Sequence, residues 1–142
     1  MSAVHDVKSS VIRLLGSCPG VAQDEFGSLI IPFVDTMVVC RFRDLGDSGV
    51  VVTVNAPVLL EVPSRPELYE LVAVSAVSFP YGTLSLGAGE TESTLTLGFD
   101  APLFGEDLTP RHLQRAIRIV HNVSLDQTRR LHPVFGGRPI FR

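Results

Sequence analysis

No run of about 18 or more apolar residues occurs in the sequence, so no segment is predicted to cross a membrane as a helix. The first residues, Met1–Asp6, have neither the basic segment nor the long apolar segment of a signal peptide. We therefore expect a cytoplasmic protein. Cysteine is also scarce: Cys18 and Cys40 lie 22 positions apart, in no metal-binding or redox spacing. Both are interpreted as small buried hydrophobic side chains, because a cytosolic protein rarely keeps a disulfide.

The residue patterns of catalytic and cofactor-binding sites are missing as well. The histidines His5, His112, His121 and His132 have no zinc-helix spacing, and no serine lies in a G-x-S-x-G turn. The G-x-G at Gly87–Gly89 lies between two predicted strands, so a hairpin turn is expected there and not a phosphate site. We therefore expect no catalytic residue, no cofactor and no metal ion, and we predict that the protein is not an enzyme.

Aromatic residues are few, and the charge is unevenly distributed. The net charge is −3, yet residues 109–142 carry seven arginines and one acidic residue, against five basic and fourteen acidic residues in 1–108. This basic segment either complements the acidic body of the same chain or forms a surface for an acidic partner. Because the whole chain is acidic and stacking side chains are scarce, nucleic acid is not expected as a partner.

The composition is typical of a globular domain with a hydrophobic core, because 45% of the residues are apolar and 19% are charged. Helical spacing of apolar residues predicts a helix over Val4–Leu15 and a second one from a capping box at Ser64–Glu67 to Phe79. A third helix is predicted from Thr109, as N-cap, to about Arg130, ending before Pro133.

Between the helices, alternation and β-branched runs predict five strands. These are Ser28–Phe33, Thr36–Arg43, Val50–Val62, Gly82–Ala88 and Thr94–Leu103. The expected fold is α+β, a single domain over residues 1–142 with a twisted antiparallel sheet and helices, in the order α-βββ-α-ββ-α. An apolar tail over residues 132–142 is expected either to fold back or to dock on a neighbour.

Three segments carry a resemblance to a known family. They are the strand after the first helix, Phe26–Pro32, the long strand Val50–Val62 leading into Ser64–Glu67, and the strand Leu95–Leu103 leading to Leu108–Pro110 at the final helix. With these, residues 4–131 resemble the class I type III secretion chaperones and the YbjN family. The resemblance implies a homodimer whose sheet and helices hold an unfolded segment of a client polypeptide. The arginine-rich last helix and the apolar tail depart from a typical secretion chaperone.

The residue pattern supports a binding surface independently. Apolar residues occur on both faces of the second and third predicted strands, with Val38 and Cys40 on one face and Met37 and Val39 on the other. Either a helix covers each face or the second face meets a partner. The candidate partner-binding residues are Met37, Val39 and Val51 on the second face, and Arg111, Arg115 and Arg118 on the last helix.

The leading hypothesis is therefore a non-enzymatic, chaperone-like protein that binds a polypeptide partner as a homodimer. The alternative is a small-ligand regulator or enzyme, with a pocket near the last helix where Arg111, Arg115 or His112 holds an anion.

Overall fold

The segments predicted to be helical or extended adopt those structures, with bounds that differ by a few residues. The computed structural model describes residues 3–16 and 18–140. Its helices are α1 (Ala3–Leu14), α2 (Pro66–Ser78) and α3 (Pro110–Phe135). Its strands are β1 (Ala22–Gln23), β2 (Leu29–Pro32), β3 (Met37–Asp44), β4 (Val50–Pro63), β5 (Thr83–Ala88) and β6 (Thr94–Phe104). Within these residues, none of the helices is long and apolar enough to cross a membrane.

All six strands form one antiparallel sheet in the order β1-β2-β3-β4-β6-β5. The predicted single-domain α+β fold is confirmed, with the two-residue strand β1 added before the expected three. A strand of two residues is too short to show alternation, so the sequence does not predict it. The longest strand, β4, is central: it pairs with β3 over residues 50–55 and with β6 over residues 51–63.

The three helices pack on the same face of the sheet, which we call the helix face. Val11 of α1, Leu68 of α2 and Leu113 of α3 belong to one hydrophobic core. On α3 the buried stripe recurs at helical spacing, so one side of this helix faces the sheet and the other faces solvent. The strand residues that complete this core include Val38, Cys40, Val52, Val54, Phe99 and Ala101. The opposite side of the sheet is called the open face.

The register of β4 against β6 is irregular between Pro57 and Val62. Glu61 in this stretch has φ 55°, in the left-handed region that few non-glycine residues adopt. Its carboxylate accepts hydrogen bonds from the Glu90 N–H at 2.9 Å and the Thr94 hydroxyl at 2.8 Å, both on the β5–β6 hairpin. Irregularities of this kind bend a strand and change the direction of its side chains and backbone groups.

The predicted capping box at Ser64–Glu67 is wrong. Arg65 occupies the N-cap of α2 and makes no side-chain hydrogen bond to the helix. The fixed φ of Pro66 starts the helix directly after Arg65, so Ser64 lies outside the capping position. Its hydroxyl lies 3.1 Å from the hydroxyl of Tyr69 instead.

The predicted end of the last helix is also wrong, because α3 passes through Pro133 and ends at Phe135. A proline removes one backbone hydrogen bond and crowds the carbonyl of the preceding turn, and here it does so in the final turns, which are largely exposed to solvent. The end is completed by Arg65, which donates to the Val134 carbonyl at 2.6 Å, and by the Gly136 N–H, which donates to the His132 carbonyl. The expected N-cap is present: the Thr109 hydroxyl accepts from the His112 N–H. Residues 141–142 of the predicted tail lie outside the described residues.

Candidate functional site

A groove of about 500 Å³ crosses the open face of the sheet. Its walls are formed by strands and by one residue of the chain that follows α3, and the helices lie on the other side. The lining residues are Met37, Val39 and Arg41 of β3, Asn55, Pro57 and Leu60 of β4, Ser85, Leu86, Gly87 and Ala88 of β5, Thr96, Gly98 and Asp100 of β6, and Ile140.

Most side chains at the end of the groove beside β3 are apolar. They are Met37, Val39, Pro57 and Ile140, and the charged Arg41 of β3 also lines the groove. Val39 is only 6% exposed although it lies on the open face, where Ile30 and Asn55 are its cross-strand neighbours. This end can therefore receive aliphatic side chains.

The centre of the groove is polar. Asn55 and Asp100 are cross-strand partners, and the Asn55 amide donates a hydrogen bond to the Asp100 carboxylate. Gly98 lies next to this pair, and a Cβ there would stand 2.9 Å from the Asn55 side-chain nitrogen. A side chain at position 98 would thus disturb the pair and make the groove shallower. Apolar walls beside amide and carboxylate groups suit a ligand that combines aliphatic side chains with peptide groups.

The structure brings together only part of the predicted partner-binding set. Met37 and Val39 line the groove, as their alternation against Val38 and Cys40 predicts. Val51 lies on the same open face but towards the other end of β4, opposite Arg43 and Phe104. It does not line the groove.

The three predicted arginines lie on another side of the molecule. Arg111, Arg115 and Arg118 are exposed on the solvent side of α3, which packs on the helix face. Arg115 and His112 border a smaller groove of about 360 Å³, and its other lining residues are Tyr81, Leu103, Ala116 and Ile119. Arg111 and Arg118 do not line it, so the three arginines do not share one pocket, although Arg115 and His112 of the alternative hypothesis do.

The sequence left open whether the chain after α3 folds back or docks on a neighbour, and its described residues fold back. A second groove of about 530 Å³ lies between the C-terminal half of α3 and the β2–β3 turn. Pro139 and Ile140 form one of its walls, and Ile140 also lines the groove on the open face. The signal available in the sequence was the glycine pair Gly136–Gly137 before Arg-Pro-Ile, which permits a sharp reversal of the chain.

Two titratable contacts lie near these grooves. The His121 Nε2 lies 3.0 Å from the Asp35 carboxylate, and its ring stacks on Phe33 with 4.3 Å between the ring centroids. The hydrogen bond from His121 holds the pKa of Asp35 below its usual value. Burial raises the pKa of the Tyr81 hydroxyl, which donates to the Pro102 carbonyl at 3.2 Å.

The two cysteines differ in environment. Cys40 is buried in the core, and burial raises the pKa of its thiol to about 12. Cys18 is exposed, so the prediction that both are buried is wrong for Cys18. It lies shortly after the end of α1. Among residues 3–16 and 18–140, no three His, Cys, Asp or Glu side chains are placed together as metal ligands.

One helix presents apolar side chains to solvent. On α2, Tyr69, Val74 and Val77 are exposed, and Val77 is 86% exposed. Val74 and Val77 are three residues apart and so are neighbours on the surface of the helix.

Comparisons with known proteins identify the fold and the family. The family model TY-Chap1, described as "T3SS (YopN, CesT) and YbjN peptide-binding chaperone 1", matches residues 3–142. No sequence among the curated proteins matches this chain. Among solved structures, ExsC in its complex with ExsE is similar, with a TM-score of 0.61 and 16% identity over 91% of this chain and 96% of that chain. YbjN from E. coli has a TM-score of 0.56 and 15% identity over 89% of this chain and 91% of that chain.

Proposed function

The chain belongs to the TY-Chap1 family of type III secretion and YbjN peptide-binding chaperones, and we propose that it binds an extended segment of a polypeptide partner in the groove on the open face. It does so as a cytoplasmic homodimer and without catalysing a reaction. The family match confirms the resemblance that the order and lengths of the sequence elements predict. The solved complex of ExsC with ExsE shares the fold at 16% identity, which supports the architecture.

The observation that carries the proposal is a sheet face that the protein's own helices leave uncovered. A helix-covered sheet in a small domain usually has a polar opposite face. Here Met37, Val39 and Pro57 stand beside the polar pair Asn55 and Asp100 in one groove. A polypeptide in an extended conformation offers side chains that alternate in direction and peptide groups at regular intervals, which matches this lining.

The homodimer is supported by a different surface. The exposed residues Tyr69, Val74 and Val77 of α2 lie away from the groove on the helix side of the sheet. Exposed apolar side chains grouped on one helix are typical of a protein interface. Packing α2 against α2 of a second copy would cover them and leave both grooves free.

A permanently unfolded protein, reduced and carboxymethylated lactalbumin, tests the binding proposal. We expect the fluorescently labelled probe to bind the chain in anisotropy titrations, and Met37→Glu to weaken binding at least about tenfold, because a buried charge would face the apolar wall. Val51→Glu is the matched control, since it places the same charge on the same face outside the groove. Equal affinities for the chain and for Met37→Glu would argue against the groove, and no binding at all would argue against the function.

The dimer is tested separately by light scattering. The chain is expected to have twice the monomer mass, and Val77→Glu is expected to shift it to the monomer. Ile12→Glu is a suitable control because Ile12 is an exposed apolar residue on a different helix. A monomeric unchanged chain would contradict the dimer and leave the groove proposal intact.

A further inference from the structure

The residues after α3 turn back onto β4. We call Gly136–Ile140 the tail strap. The Arg138 N–H donates to the Leu60 carbonyl at 2.8 Å, and the Leu60 N–H donates to the Arg138 carbonyl at 2.7 Å, which makes one antiparallel residue pair. Leu60 lies beyond Asn55, the last β4 residue that pairs with β3, and in the stretch where the β4–β6 register is irregular. The strap therefore uses backbone groups of β4 that no neighbouring strand occupies.

Two glycines allow this reversal. Gly136 and Gly137 have φ values of 75° and 73°, and residues with a side chain rarely adopt such values. A Cβ on Gly137 would lie 2.6 Å from the Leu60 carbonyl oxygen, whereas a Cβ on Gly136 would meet no atom within 4 Å. Only Gly137 is thus required for the close approach of the strap to β4.

The strap separates the two larger grooves. Ile140 and Pro57 line both the groove on the open face and the groove between α3 and the β2–β3 turn. Ile140 of the strap thus stands at the boundary between the two grooves, and its departure would widen the passage from α3 past β4 to the open face. An extended peptide needs a continuous path of this kind.

The strap is held by few contacts. Leu60 and Arg138 form an isolated pair, and no second backbone pair continues it among the described residues. The ion pair between Arg138 and Glu90 is 3.7 Å long and joins two exposed side chains, so it adds little. Pro139 has no N–H to donate.

The end of α3 is anchored without the strap. Arg65 donates to the Val134 carbonyl, and its guanidinium lies 4.7 Å from the centre of the Phe135 ring. The anchoring thus stops at Phe135, and the two glycines begin directly after it. The strap can leave β4 while α3 keeps its last turn.

We propose that the tail strap occupies the place of the client. An extended peptide displaces Gly136–Ile140, pairs its own backbone with Leu60, and places an aliphatic side chain where Ile140 lies, two residues after the paired position. A basic residue at the paired position faces Glu90, as Arg138 does. This inference rests on the proposed peptide-binding function and adds the binding register and the chemistry of the preferred client.

A labelled synthetic peptide with the sequence of residues 136–142 tests the inference on the full chain. The attached strap competes with the free peptide at a high effective concentration, so the unchanged chain should bind it weakly. Gly137→Ala pushes the strap off Leu60, and Ile140→Asp removes the aliphatic side chain from the groove. Both variants should bind the peptide at least about tenfold more tightly than the unchanged chain, because the competing state is lost.

Two controls isolate the cause. Gly136→Ala carries a similar backbone cost without the collision, and a smaller gain than for Gly137→Ala is expected. A peptide with Asp in place of its Ile should bind none of the chains tightly. If Gly137→Ala does not fold, as judged by circular dichroism, Ile140→Asp decides the outcome.

The outcomes separate this inference from the proposed function. Equal peptide affinities for the unchanged chain and for Ile140→Asp would overturn the proposal that the strap occupies the place of the client. Failure of every chain to bind the peptide would overturn it as well. In either case, binding of the unfolded lactalbumin probe by the unchanged chain would leave the proposed function standing. Loss of both kinds of binding would overturn both.

Discussion

The helix face and the open face belong to the same strands and differ in how their side chains are covered. On β4 and β6, Val54 and Ala101 point to the helix face and are fully buried. Their neighbours Thr53 and Pro102 point to the open face and keep contact with solvent. Alternation along a strand therefore divides the sheet into a side that packs against the helices and a side that they leave uncovered.

This difference predicts where substitutions act. A side chain on the helix face is packed on all sides, so removing it leaves a cavity inside the core. A side chain on the open face borders a groove, so removing it changes the groove more than the stability. Four experiments would sharpen or break the comparison, and they are given from the largest expected effect to the smallest.

Thiol labelling compares a core position with an exposed one. Cys18 is expected to react quickly with a thiol reagent, and Cys40 only when the protein opens, because it is buried and its pKa is about 12. The two labelling rates should differ on the order of a thousandfold or more, because the rate for Cys40 depends on the free energy needed to expose its thiol to solvent. Stopped-flow absorbance with the Cys18→Ser variant assigns the fast phase. A fast reaction of Cys40 would show that the helix face is loosely packed.

Truncation in the core should have a large effect on stability. Phe99 is fully buried and packs edge-on against Phe79 with 5.1 Å between the ring centroids. Phe99→Ala is expected to lower the free energy of unfolding by about 3–5 kcal/mol. Met37→Ala on the open face is the matched comparison, with an expected loss of about 1 kcal/mol or less. Urea denaturation measures both, and similar losses would contradict the division of the sheet into two faces.

The arginines of α3 test whether a second surface takes part in binding. Replacing Arg111, Arg115 and Arg118 together with Ala is expected to weaken binding of the unfolded probe by less than about threefold at physiological salt, where surface charges are screened. Titrations at low and high salt measure the effect. A loss as large as that of Met37→Glu would place the partner on α3 as well as on the open face.

The smallest effect is expected at the contact between α3 and the β2–β3 turn. Because His121 holds the pKa of Asp35 below its usual value of 3.8, the pair stabilises the folded state above that pH. The contribution is lost as the pH falls through the lower folded-state pKa, since the unfolded chain takes up the proton first. Thermal unfolding of the chain and of Asp35→Asn should differ at about pH 6, and the difference should shrink as the pH is lowered below 3.8. If the two unfolding temperatures still differ as much in acid, the Asp35–His121 pair is not the cause of the difference.

Much of the fold could be predicted from local patterns. The period of the apolar residues locates all three helices and five of the six strands, and Thr109 is the N-cap that its position before Pro110 predicts. The alternation of Met37 and Val39 against Val38 and Cys40 also assigns the correct faces. The errors at Ser64, at Pro133 and at Cys18 arise where tertiary contacts or the neighbouring residue outweigh the local preference.

The binding surface could be predicted only in part. Nothing in the spacing of residues says that all three helices cover one face, since the sequence allows a helix on each side. The set of six predicted residues therefore combines two surfaces that the fold separates. The family match supports peptide binding for the chain as a whole and does not select between them.

The sequence by itself determined most of the secondary structure, because this depends on neighbours within a few positions along the chain. The order and lengths of these elements determined the family resemblance. Only the tertiary structure decided that Met37 and Ile140, about a hundred residues apart, line one groove. It also decided that Arg138 pairs with Leu60 beside a strand irregularity. Such contacts depend on where the chain returns in space, and local periodicity carries no information about that return.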